Sequence, residues 1–88
     1  MAKVEIYTST MCPHCSHAVR LLQSKNVNFE QIDVSISSAL RQSMRGRAGG
    51  LTSVPQIFID DEHIGGCDEL MALEFAGHLD VLLNRIKL

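Results

Sequence analysis

Two cysteines, Cys12 and Cys15, stand two residues apart at the joint between a short β-like run and a helical run. No other feature constrains the chain as much. If Cys15 lies in the first turn of a helix, the two sulfurs can close a disulfide without moving the backbone. Cys12 then sits at the helix N-terminus, where unpaired N–H groups and the positive end of the dipole stabilise a thiolate. Pro13 suits the first helical position, because it gives up only an N–H that has no partner there. Cys12 therefore reads as the exposed nucleophile and Cys15 as the resolving thiol. Two ordinary structural cysteines are the bland alternative, and the agreement of position, proline and flanking pattern argues against it. A C-x-x-C beside a βαβ pattern favours redox chemistry. A c-type haem site needs histidine directly after the second cysteine, where this chain has Ser16. Zinc usually takes four ligands. Cys67, His14, His17 and His63 are the remaining soft candidates and form no second tight pair, so no metal is expected.

A chain of 88 residues fits one domain spanning residues 1–88. Apolar residues make up 45%, enough for a modest core and too many for a disordered chain. Eight basic against ten acidic residues leave a formal charge of −2, which argues against a general nucleic-acid binder. Arg41, Arg45 and Arg47 form a small basic cluster, read as a solvated helix face. Three cysteines do not make the even-numbered framework of a small secreted scaffold. The sequence enters a strand at once, with no export signal or membrane span in view. A reducing cytoplasm and a monomer are the expected setting, with no membrane partner.

Along the chain, Lys3 to Thr8 alternates Val4 and Ile6 against Glu5 and Tyr7, as a strand does. A loop from Thr8 to Met11 delivers Cys12. Pro13 to Lys25 is helical, with Ala18, Val19, Leu21 and Leu22 facing inward and His17 outward. Asn26 suits a left-handed helix stop. Asn28 to Val34 is a second strand, parallel to the first through a right-handed helical crossover. Ser35 to Ser38 supplies N-caps for a second helix ending near Arg47, with Leu40 and Met44 inside. Pro55 precedes the apolar strand Ile57-Phe58-Ile59 and is a candidate cis peptide. Asp60-Asp61-Glu62 turns a hairpin, and His63 to Gly65 returns as an edge strand. After Gly65-Gly66 a third helix starts at Cys67 or Asp68, with Leu70, Met71, Leu73 and Phe75 available to the core. Gly77 breaks it, and Leu79 to Ile86 forms a last short helix with Leu82, Leu83 and Ile86 inward.

Three motifs in this order resemble the glutaredoxin family, over nearly the whole chain: Cys12-Pro13-His14-Cys15, then Ser53-Val54-Pro55-Gln56-Ile57-Phe58-Ile59, then Gly65-Gly66-Cys67-Asp68-Glu69-Leu70. The resemblance is greatest to the short bacterial dithiol members. It implies a thioredoxin-like three-layer α/β fold, a four-stranded mixed sheet flanked by helices in the order β-α-β-α-β-β-α. It also implies a glutathione-dependent thiol–disulfide oxidoreductase, with glutathione as reducing co-substrate and no bound cofactor. Its partners would be glutathione and disulfide-bonded or glutathionylated proteins.

Carried over by residue, the resemblance makes Cys12 the attacker and Cys15 the resolving thiol. Pro55 is cis, and the backbone of Val54 pairs with the cysteinyl part of glutathione. The turn at Cys67 and Asp68 holds the γ-glutamyl carboxylate on N–H groups, as helix N-termini hold anions. An acidic side chain there can pair with the γ-glutamyl amine. Cys67 itself is read as a small half-buried neighbour of the site. The chain departs from the family in four places. His14 stands where tyrosine is common, and Ser9 where a basic residue is. Ser53 replaces threonine, and the arginine before that motif is missing. Arg41 or Arg47 is left to anchor the glycine carboxylate of glutathione. Two readings stand for His14. Either it donates a hydrogen bond or, when protonated, lends a positive charge to the Cys12 thiolate and makes the couple more oxidising than a tyrosine version, or it is simply a surface for glutathione. Iron–sulfur binding is associated with members carrying Cys-Gly-Phe-Ser, which this chain lacks. The Trp-Cys-Gly-Pro-Cys motif of thioredoxins is also absent, and the chain has no tryptophan.

Overall fold

Alternation along the first strand sorts the core into two layers. The structure, a computed structural model, describes residues 2–83. Its elements are β1 (Val4–Thr8), α1 (Pro13–Ser24), β2 (Glu30–Asp33), α2 (Ser38–Arg47), β3 (Gln56–Ile59), β4 (Glu62–Gly65), α3 (Cys67–Phe75) and α4 (Leu79–Leu82). The sheet runs β2-β1-β3-β4. β1 pairs parallel with β2 and antiparallel with β3, and β3 pairs antiparallel with β4. This is the thioredoxin-like mixed sheet that the sequence predicts.

Val4, Ile6, Ile57 and Ile59 point to one face, where they meet Ala18 and Leu22 of α1, Leu70 of α3 and Leu79 and Leu83. Tyr7 and Phe58 point to the other, against Val34 and against Met44 and Ala48 at the end of α2. The expected half-buried first strand is therefore buried along its whole length, Glu5 included. A second covering helix explains this, because it leaves no wet face on β1.

Glu5 is tolerated inside because Arg47 meets it. The guanidinium donates to both carboxylate oxygens at 3.2 and 2.9 Å and to the Tyr7 hydroxyl at 3.0 Å. It also lies 4.0 Å from the Phe58 ring centroid and reaches Asp61 at 3.3 Å. The Glu5 carboxylate raises the Arg47 pKa further above its ordinary value, outweighing partial burial. Arg47 is thus a structural residue under the sheet. That corrects its reading as part of a solvated face and removes it as an anchor for a glycine carboxylate. Arg41 is exposed.

Three other expectations are corrected. β2 is shorter than 28–34, and Phe29 and Val34 flank it instead of lying within it. Leu40 is 39% exposed, because α2 touches the sheet through its C-terminal half, Met44 to Ala48. Phe75 is 84% exposed. Five residues after the buried Leu70, it is rotated roughly 140° around the helix from it. Ile86 lies outside the described residues. Asn26, at φ 57°, ends α1 in the left-handed conformation expected of it. Lys25 then ties α1 to the far helices through Glu74 at 2.7 Å and Asp80 at 2.9 Å. Asp60 and Asp61, both at positive φ, form the two-residue turn of the β3–β4 hairpin.

Replacing Arg47 by leucine strands a buried carboxylate. We expect a stability loss of about 2 kcal/mol in urea unfolding, below the usual cost of a broken buried pair because Arg47 is part-exposed. A loss under about 0.5 kcal/mol would mean that the pair is no stronger than a surface one.

Candidate active site

The loop after β1 is pinned before it reaches the cysteines. Asp33 accepts the Ser35 N–H at 2.8 Å, and these bonds to Ser35 hold its carboxyl below the usual carboxylate range. Ser35 Oγ in turn accepts the Thr10 N–H at 2.8 Å. The turn closes at Met11, φ 54° and 99% exposed, and the chain enters α1.

Cys12 is the N-cap of α1, in extended conformation, with Pro13 at the first helical position. Its own sulfur performs the capping, accepting the Cys15 N–H at 3.1 Å. A cap acceptor is usually an oxygen. Here the reactive atom takes that place, so one orphan donor of the helix points at the sulfur that would carry charge. The Cys12 thiol also faces the Val54 carbonyl oxygen at 3.9 Å. Cys12 is half-buried and Cys15 is buried at 4% exposure. The Cys15 thiol is pushed up to about 12, by burial first and then by its hydrogen bond with Cys12. A backbone bond with Ser9 opposes this only in part.

A groove of about 190 Å³ lies beside the cysteines, lined by His14, Ser53, Val54, Pro55, Gly66, Cys67, Asp68 and Glu69. All three sequence motifs therefore meet in one place. The Val54-Pro55 peptide is cis, as predicted. Gly65 has φ 120°, and a Cβ there would fall 2.8 Å from Glu69 Cγ, so both the backbone and the space demand glycine. Glu69 reaches back to accept the Gly66 N–H at 2.7 Å and fixes the start of α3. This is one half of a capping box; Gly66 has no side chain to supply the other half. The first N–H groups of α3, from Cys67 onward, have no helical acceptor, and Cys67, Asp68 and Glu69 line the groove. Asp68 is exposed at this end, and Cys67 is buried at 5% exposure. Burial pushes the Cys67 thiol up, helped first by the neighbouring Asp68 carboxylate.

His14 is exposed and lines the groove, and among the described residues no hydrogen bond joins it to Cys12. The hydrogen-bonded form of the tuning reading therefore has no bond to rest on. His17 is exposed, as expected. No cluster of three or more metal-ligating side chains forms among the described residues.

The arrangement can perform thiol–disulfide exchange, with one accessible capped sulfur and a second sulfur one helical turn behind it that is held as a thiol. The sign of its pH dependence follows. The unfolded chain ionises Cys15 near 9.0 and the folded chain near about 12, so folding favours the proton. This contribution to stability is full below about 9 and is lost as pH rises toward about 12. Iodoacetamide at pH 8 should modify Cys12 first, with Cys15 at least about a hundredfold slower. Peptide mass spectrometry would read this, and equal rates would contradict the buried, protonated Cys15.

A family model described as Glutaredoxin matches residues 4–64. Glutaredoxin 3 of Escherichia coli K12 is 53% identical over 84 residues, covering 96% of this chain and all of the relative. The solution structure of glutaredoxin from Brucella melitensis superposes with a TM-score of 0.82 at 49% identity, covering 100% of this chain and 95% of that one. The crystal structure of a buckwheat glutaredoxin–glutathione complex superposes at 0.85 with 26% identity, over 96% and 78% of the two chains. With the cysteine pair capped at its helix and the cis-proline and glycine turns closing the same groove, the chain belongs to the glutaredoxin family and is a thiol–disulfide oxidoreductase.

Proposed function

We propose that this oxidoreductase uses glutathione as its reducing co-substrate and acts on glutathione mixed disulfides and protein disulfides. The observation that carries the reading is the groove beside Cys12, lined by the first residues of α3, Cys67 to Glu69, and by the cis Val54-Pro55 segment. Glutathione has matching parts. Its γ-glutamyl carboxylate suits the N–H groups at Cys67 and Asp68, and its amine suits the exposed Asp68 carboxylate. Its cysteinyl main chain suits Val54 beside Pro55. The glutathione complex of the buckwheat relative supports the same reading.

In the exchange, the Cys12 thiolate attacks the glutathione sulfur of a mixed disulfide. A Cys12–glutathione disulfide forms and the protein thiolate leaves, to be protonated by solvent. A second glutathione thiolate then attacks the bound glutathione sulfur. This releases oxidised glutathione and restores Cys12. Cys15 is not needed on this route, because the second glutathione supplies the attacking thiolate. Against a protein disulfide, Cys15 takes the second attack and closes the Cys12–Cys15 bond, which glutathione later reduces. Once Cys12 is bonded, its hydrogen bond no longer holds the Cys15 proton, although burial still does. The reading includes a monomer in the cytoplasm. Among the described residues no helix is long and apolar enough to cross a membrane.

A coupled assay with glutathione, glutathione reductase and a small glutathione mixed disulfide tests the proposal. Cys12→Ser should abolish turnover, and Cys15→Ser should keep at least about a tenth of it, since the glutathione route bypasses the second thiol. Reduction of a protein disulfide should fall in both variants. A wild type inactive with glutathione, yet active with another dithiol reductant, would overturn the glutathione reading.

A further inference from the structure

We infer that His63, on the edge strand, is a positioning residue for the substrate groove, acting through the buried side chain of Gln56 on the Ser53-Val54-Pro55 loop. The inference rests on the reading of that groove as the glutathione site. Gln56 is the first residue of β3, and its side chain is 1% exposed. Its amide nitrogen donates to the Ser53 carbonyl oxygen at 3.0 Å and lies 3.2 Å from Ser53 Oγ. Its amide oxygen faces His63 Nε2 at 2.7 Å.

The donor roles follow from these partners. A carbonyl oxygen only accepts, so the Gln56 nitrogen must face Ser53 and the Gln56 oxygen must face His63. That oxygen only accepts, so Nε2 of His63 carries the proton. The polar chain therefore has one direction, from His63 to Gln56 to Ser53. Ser53 precedes Val54, whose carbonyl oxygen faces Cys12 Sγ at 3.9 Å.

His63 is itself placed firmly. It pairs with Phe58 across the hairpin, where the ladder is irregular at Ile57/Phe58, and its ring lies 5.1 Å from that of Phe58. Diagonal neighbours on one face of an antiparallel pair come within reach of long side chains. Gln56 and His63 use that relation. Without the histidine donor, a buried amide oxygen is left unpaired, and Gln56 gains by turning away from Ser53. The loop then loses its side-chain tether.

The test uses the full reduced chain as His63→Leu and His63→Gln, the second keeping an N–H donor at the end of the side chain. In His63→Leu the KM for a glutathionylated peptide should rise about fivefold with kcat within about twofold, the size of one lost hydrogen bond. His63→Gln should restore most of the KM. In the free protein, the amide resonances of Ser53 and Val54 should shift in His63→Leu and return in His63→Gln. An unchanged KM in His63→Leu, an unrescued KM in His63→Gln, or unmoved amides would overturn the inference. A mixed disulfide of cysteamine separates the two readings. A wild type that turns it over as well as the glutathione one sinks the glutathione reading. The amide shifts, which need no substrate, then decide the role of His63 by themselves.

Discussion

The bond from the Cys15 N–H to Cys12 Sγ joins the chemistry of this protein to its folding. Helix starts leave N–H groups without partners, and most chains satisfy one with a hydroxyl or carboxylate. This chain uses the reactive sulfur. The helix therefore needs Cys12 in one place, and Cys12 needs the helix for its polar surroundings. The remaining features of the site serve that relation. Ser35 and Asp33 hold the incoming loop, and burial of Cys15 keeps the second sulfur behind the first as a thiol. The cis peptide at Pro55 brings a main-chain wall to the opposite side.

Much of this is legible in the sequence because short-range rules govern it. The pair Cys12 and Cys15, Pro13, the left-handed Asn26, the cis Pro55 and the Gly65-Gly66 turn each follow from neighbours a few residues away. Alternation in β1 and β3 is visible for the same reason. The misread residues depend on partners far along the chain. Glu5 looks like the wet face of a strand until Arg47, 42 residues later, covers it. Arg47 looks like surface charge for the same reason. Leu40 and Phe75 fit helical periodicity, but periodicity does not say how far a helix overlaps the sheet. Gln56 and His63 carry no local signal, since their contact depends on hairpin register and an irregular ladder.

The departures from the usual family pattern concern the charges around the groove. Ser9, Gly50 and Leu51 leave it without the basic residues many members place there, and Arg47 is engaged under the sheet. The main chain at the start of α3 and the side chain of Asp68 line it instead. A groove of this lining offers shape and main-chain hydrogen bonding more than lysine or arginine side chains. Such contacts lose less to added salt than exposed ion pairs do.

Strand β1 also separates two roles in space. At its start, Lys3 lies beside the Asp60-Asp61 turn and the outer end of the Arg47 network. At its end, Thr8 leads into the loop that carries Cys12. Five residues of extended chain put roughly 17 Å between them. The Lys3 and Asp60-Asp61 contacts and the loop that carries the reactive sulfur thus lie at opposite ends of the strand, with Arg47 bound to Glu5 and Tyr7 between them. Substitutions at such a distance tend to combine additively. A lineage carrying this fold can alter the groove to suit new thiols, or strengthen the contacts of Lys3 with the Asp60-Asp61 turn against heat, with each change filtered by selection almost independently of the other.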